Sequence, residues 1–114
     1  MGNITAKFLT WKDNKMTIDK QHENEKLTLV IDGHIDFTTA DKLRDSLIPS
    51  FDEARELILD FAKVAHISSA GIRVLLAAHK KSKAKGVSLV ISNITADVMD
   101  TLTKAGFADK LTII

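Results

Sequence analysis

The sequence predicts an α/β fold: a single small mixed sheet of about four to five strands, opened by an antiparallel hairpin and continued by parallel βαβ units, with about three to four helices packed on it. Three observations carry this. Short β-branched runs alternate with amphipathic stretches, and that alternation implies parallel pairing with right-handed crossovers. The first two runs flank only a polar loop, as a hairpin would. The chain has 114 residues, 45% apolar and 27% charged, which suits one globular unit with one core.

Residues 1–15 are irregular. Ile4, Phe8, Leu9 and Trp11 are apolar, but Lys12-Asp13-Asn14-Lys15 breaks the run. They read as an N-terminal extension, a cloning remnant or a further strand, with Met16 an alternative natural start. The domain proper is 16–114. Met16–Lys20 alternates as a strand, Gln21–Lys26 reads as the hairpin loop, and Leu27–Ile31 is the second strand. Gly33–Phe37 closes that strand. Thr38 or Thr39 then caps a helix with Asp41 in its first turn. Leu43, Leu47 and Ile48 form its apolar stripe, and Pro49 helps stop it. Leu57–Phe61 is nearly all apolar, as a strand buried on both faces should be. Ile72–Lys85 reads as a long helix with a lysine-rich end, and Gly86 is its C-cap. Val87–Ile91 is the next strand. Thr95 caps a last helix carrying Val98, Met99 and Leu102, and Gly106 ends it. Leu111–Ile114 is a short final strand or tail.

Composition excludes several kinds of chemistry. There is no cysteine, hence no disulfide, thiol nucleophile or Cys-ligated metal. The net charge of +1 gives no electrostatic reason to expect nucleic acid or an anionic membrane. No apolar run approaches the ~20 residues of a membrane span, and no signal peptide opens the chain. The expected location is cytoplasmic. Neither phosphate-cradling glycine loop occurs, and no glycine stands two residues before either serine of the pair at 68–69. The lysines at 80–85 read as a solvated helix end, and His79 as a packing residue at its rim. His34 and Asp36 form an H-x-D pattern that would be half a metal site, so a small metal-using enzyme is one alternative. A structural or solvent-facing role is the favoured reading, and no catalytic residue, cofactor or metal is assigned.

The unusual segment is Ile67-Ser68-Ser69-Ala70-Gly71, two serines leading directly into the long helix. On local sequence alone, helix capping is the favoured reading, worth about 1 kcal/mol. The alternative is a regulatory hydroxyl. A helix N-terminus tolerates a phosphate, which adds roughly −1.5 to −2 charge, and small Ala70 and Gly71 would leave both hydroxyls open.

From Met16 onward the chain resembles a STAS domain of the anti-sigma factor antagonist family. Gly33-His34-Ile35-Asp36 resembles the family's G-x-[LI]-D, and Thr39-Ala40 with Leu43 its first-helix start. Leu59-Asp60-Phe61 with Val64 resembles its third strand. Ile67–Leu76 resembles its phosphorylation loop and helix, written [FI]-D-S-[ST]-G-L. Ser92-Asn93 and Leu102…Gly106-Phe107…Leu111 resemble its closing segment. The resemblance implies a non-enzymatic, phosphorylation-switched module that regulates transcription. Unphosphorylated, it would sequester an anti-sigma factor that is also a serine kinase. Phosphorylation would release it, and a serine phosphatase would reset it. Ser69 stands in the phosphoserine column, with Ser68, in the aspartate column, as second choice. The implied partner surface is Asp36, Ser68, Ser69, Ala70, Gly71, Ile72 and Arg73. Direct nucleic-acid binding and membrane insertion are not implied. The alternative within the family is a non-phosphorylated adaptor of a lipid-transport or sensory complex.

Overall fold

A computed structural model describes residues 16–114; the readings made for residues 1–15 lie outside them. β1 (Met16–Glu23) and β2 (Lys26–Ile35) form the antiparallel hairpin. Its turn is only Asn24-Glu25, so the strands take up most of the predicted loop at Gln21–Lys26. Asn24 has φ 58°, the left-handed conformation that two-residue turns use and asparagine tolerates. Gln21, His22 and Glu23 are exposed on β1, an edge of the sheet among the described residues, so their polarity marks an edge and not a loop.

α1 (Ala40–Ser50) leads to β3 (Glu56–Ile67), α2 (Ser69–Lys85) to β4 (Ser88–Ser92), and α3 (Ala96–Lys104) follows. The strand order is β1-β2-β3-β4, with β2, β3 and β4 parallel. The predicted mixed sheet is therefore observed, with four strands and three α-helices among the described residues. Pro49 lies inside the last turn of α1 instead of beyond it; it takes away the N–H that would donate to the carbonyl four residues back, and the helix ends one residue later. Thr95 caps α3 as expected, its hydroxyl accepting from Val98 N and donating to Val64 O. Gly86 ends α2 with φ 67°. Leu111–Ile114, read as a short final strand or tail, makes one parallel bridge, Ile91 to Ile113.

Leu27, Leu29 and Ile31 of β2, Leu57, Leu59 and Phe61 of β3, and Leu89 and Ile91 of β4 are all buried. Their register places them on one face of the sheet. α1 packs over β2, and α2 over β3 and β4. Each such leucine or phenylalanine contributes about 1.5–3 kcal/mol on full burial. On the opposite face Ile58 and Asp60 are only half-buried. Among the described residues β3 is thus fully covered on one face, not on two as its apolar run suggested.

β3 is also longer than predicted. Its register to β2 shifts between Val30 and Asp32 and again between Gly33 and His34. Each shift inserts one extra residue into β3, a β-bulge. Asp60 Oδ1 accepts from Ala62 N at 3.0 Å inside the first. The buried residues Phe61, Val64 and Ile67 therefore recur every third position. That spacing hides a strand from a two-residue pattern, and it carries β3 to the very start of α2.

Candidate functional site

Ile35 and Ile67 pair at the ends of β2 and β3. Both strands run the same way, so the loops that follow them lie side by side at the carboxyl edge of the sheet, where open α/β sheets place their binding sites. Ser68 N donates to Ile35 O at 2.8 Å and ties the two loops together. Gly71 makes the close approach possible. A Cβ there would lie 2.5 Å from Ile35 Cγ2, 2.8 Å from Ile67 Cγ1 and 3.2 Å from Ile35 O. The glycine lets the first turn of α2 press directly onto the end of β2.

The loop Asp36–Thr39 is held by its own polar groups. Thr39, 5% exposed, accepts from Asp36 N at 2.9 Å through Oγ1 and donates to His34 O at 2.8 Å. Asp36 Oδ1 accepts from Thr38 N at 2.8 Å and from Thr38 Oγ1 at 2.6 Å, an Asx-type turn. Asp36 O accepts from Ala40 N at 2.8 Å and opens α1. Thr39 is the N-cap residue, but its hydroxyl serves the loop and not the helix. The result is a tight bend that turns the chain outward at residue 37. Phe37 is 83% exposed there.

The serine pair divides in two. Ser68 is the N-cap residue of α2 with extended backbone, φ −104° and ψ 177°, yet its side chain makes no capping bond. Its Oγ is buried without a hydrogen-bond partner among the described residues. Ser69, the first residue of α2, is exposed. The capping reading is thus not what the geometry gives, and only one of the two hydroxyls expected to be open faces solvent. Arg73 is exposed one turn beyond Ser69, the i,i+4 spacing that makes side chains neighbours. Ala70 is half-buried, and Gly71 and Ile72 are buried beneath the surface they support. Asp36, Ser68, Ser69 and Arg73 are therefore gathered at one edge, with Gly71 and Ile72 as its footing.

His34 and His66 are register partners with ring centroids 6.1 Å apart. Asp36 lies beyond the end of β2, its carboxylate turned onto Thr38, so the H-x-D pattern does not act as one strand face. Among the described residues, no group of three or more His, Asp or Glu gathers to hold a metal ion. No helix among them is long and apolar enough to cross a membrane.

Phe37 is the site residue that sequence reasoning missed. Gly33–Phe37 reads as the close of the second strand, which would put Ile35 and Phe37 on one face of it. The strand in fact ends at Ile35, and the turn at Asp36 expels the ring. The aspartate before Phe37 and the two threonines after it were the available signal.

The STAS domain family model matches residues 17–114. The anti-sigma-B factor antagonist of Bacillus subtilis is 29% identical over 94 residues, which is 82% of this chain and 85% of that protein. Sulfate transporter 3.1 of Arabidopsis thaliana is 31% identical over 93 residues, 71% of this chain and 14% of the transporter. Among solved structures, the Bacillus anti-sigma factor antagonist SpoIIAA matches in fold with TM-scores of 0.71 unphosphorylated and 0.66 phosphorylated. The identities are 13% and 12%; each match covers 86% of this chain, and 88% and 91% of SpoIIAA respectively. With the mixed sheet, the bulged third strand and the paired loops in place, the chain belongs to the STAS domain family.

Proposed function

We propose that this protein is an anti-sigma factor antagonist of the cytoplasm, switched by phosphorylation of Ser69. The observation that carries the reading is the division of the serine pair. Ser69 is exposed at the start of α2 beside the rigid Phe37 loop, while the Ser68 hydroxyl is buried. A kinase needs the first arrangement and is denied the second. The similarity to the Bacillus subtilis antagonist supports the same reading.

In this mechanism the unmodified edge docks on an anti-sigma factor with serine-kinase activity. Phe37 supplies the apolar anchor. Its loop is already fixed by Thr39 and Asp36, so little ordering entropy is lost on binding. Aromatic side chains presented this way are typical binding hot spots. A phosphate on Ser69 brings about two negative charges into the contact. The helix N-terminus and Arg73 accommodate it within this chain, so the fold need not change. Desolvating that charge against the partner at a cost of about 3 kcal/mol weakens binding more than a hundredfold. A serine phosphatase restores the binding form.

The test is to incubate the protein with a serine kinase of the anti-sigma factor type and ATP, then map phosphate by mass spectrometry. Ser69 is expected to carry it, Ser68→Ala to be modified normally, and Ser69→Ala not at all. Phosphate on neither serine would remove the switch. Capture of transport or sensor subunits without any kinase would favour the adaptor role instead.

A further inference from the structure

We propose that the groove between α2 and the C-terminal segment binds a small amphipathic anion, an apolar chain ending in a carboxylate. The groove encloses about 680 Å³, within the range of small-molecule sites. Leu76, Phe107 and Leu111 form its apolar floor, and Lys80, Lys83 and Lys110 stand around its rim. A shallower depression of about 390 Å³ continues past His79 and Lys83 toward Gly86. Below both, at His79 and Thr112, the groove meets an apolar crevice lined by Leu59, Leu75, Leu89 and Ile91. At about 10 Å³ the crevice is too small to admit an alkyl chain, so the chain lies along the open apolar floor of Leu76, Phe107 and Leu111.

The charge distribution selects the head group. Lys85 and Lys104 are neutralised by Asp52 and Asp100. Lys80, Lys83 and Lys110 take part in no ion pair among the described residues. Asp109 is the one carboxylate in the lining. Lys110 Nζ lies 5.5 Å from the centroid of the Phe107 ring, a cation–π arrangement that holds the ammonium beside the apolar floor. Three unpaired ammonium groups over leucine and phenylalanine complement a ligand that is anionic at one end and apolar along its length. Lys80 lies eleven residues beyond Ser69 on the same helix, roughly 16 Å along its axis. The groove is therefore separate from the proposed phosphorylation edge.

Decanoate is a suitable probe, titrated into the uniformly labelled full chain and followed by amide NMR shifts. Saturable shifts confined to Leu76–Lys83 and Phe107–Thr112 are expected, with a midpoint of about 0.1 mM. Lys80→Glu/Lys83→Glu should weaken binding about tenfold or more, and the neutral analogue decanol should bind about tenfold more weakly. Lys80→Gln/Lys83→Gln, which removes charge without reversing it, should fall between. Spectra of the variants outside the groove should superimpose on the parent, as exposed lysines allow. Shifts that fail to saturate by about 2 mM, that scatter over the sheet, or that persist unchanged in the charge-reversed variant would overturn the proposal.

Discussion

Replacing Gly71 by alanine is expected to destabilise the protein, against the usual sign. At an ordinary helix position alanine is better than glycine by about 0.8–1 kcal/mol. Here the added methyl would sit 2.5 Å from Ile35 Cγ2 and 2.8 Å from Ile67 Cγ1, where carbon pairs prefer about 3.5–4.0 Å. Both isoleucines are 0% exposed, so neither can swing into solvent. The third contact, at 3.2 Å, is Ile35 O, the acceptor of the Ser68 amide. Relief requires α2 to retreat by about 1 Å, which stretches that bond. Overpacking of this kind costs about 1–3 kcal/mol. With two contacts below 3.0 Å to fully buried side chains the cost lies in the upper part of that range, about 2–3 kcal/mol; less about 1 kcal/mol of helix propensity, the expected loss is about 1–2 kcal/mol, or a fall in Tm of about 5–10 °C. Urea and thermal melts of Gly71→Ala measure this directly. Gly86→Ala is the control: at φ +67° with nothing within 4 Å of its Cβ, it costs about 1 kcal/mol through backbone strain alone. Only Gly71→Ala should also shift the amide resonances of Ile35–Thr39. A Gly71→Ala protein as stable as the parent would refute the close-approach argument.

Other predictions concern the loop, the surface and pH. Thr39→Val should lose about 1–3 kcal/mol, because Asp36 N and His34 O lose their buried partner, while Thr39→Ser should recover most of it; equal melts for the two variants would contradict this. Phe37→Ala should leave stability within about 0.5 kcal/mol, since the ring is 83% exposed. The same change should weaken partner binding about tenfold or more in a calorimetric titration. The Asp52 carboxyl is held below its ordinary value, chiefly by the hydrogen bond from Lys85, then by the charge of Lys85 and of Lys81. A lowered folded-state value means the contribution is present above the unfolded value and is lost as pH falls through the folded one. Any advantage of the parent over Asp52→Asn in urea melts at neutral pH should therefore disappear in acid and shrink in high salt; an advantage that grows in acid would contradict the assignment.

The sequence made the order of elements legible because each has a strong local signal. Gly86 and Thr95 end and begin their helices where expected, and the β-branched runs fall in the strands. What it concealed came from tertiary context. Edge polarity made Gln21–Glu23 look like loop, and two bulges broke the alternation of β3 between Phe61 and Ile67. At the candidate site, the placement of Ser69 at the start of α2 and of Asp36 after β2 was legible from the motif. The exposure of Phe37 was not, since it depends on where β2 stops. Likewise the burial of the Ser68 hydroxyl depends on how closely Gly71 lets α2 approach Ile35, and no local pattern encodes that distance.

The central claim is that one accessible hydroxyl controls docking of the edge it sits on. The direct measurement is the affinity of the cognate anti-sigma factor for the unmodified protein and for protein phosphorylated only on Ser69, compared by calorimetry under the same salt conditions. The account predicts a loss of about a hundredfold or more on phosphorylation, with the two forms giving the same melting behaviour and the same fold by NMR. Equal affinity of the two forms, or a loss accompanied by unfolding of α2, would contradict it.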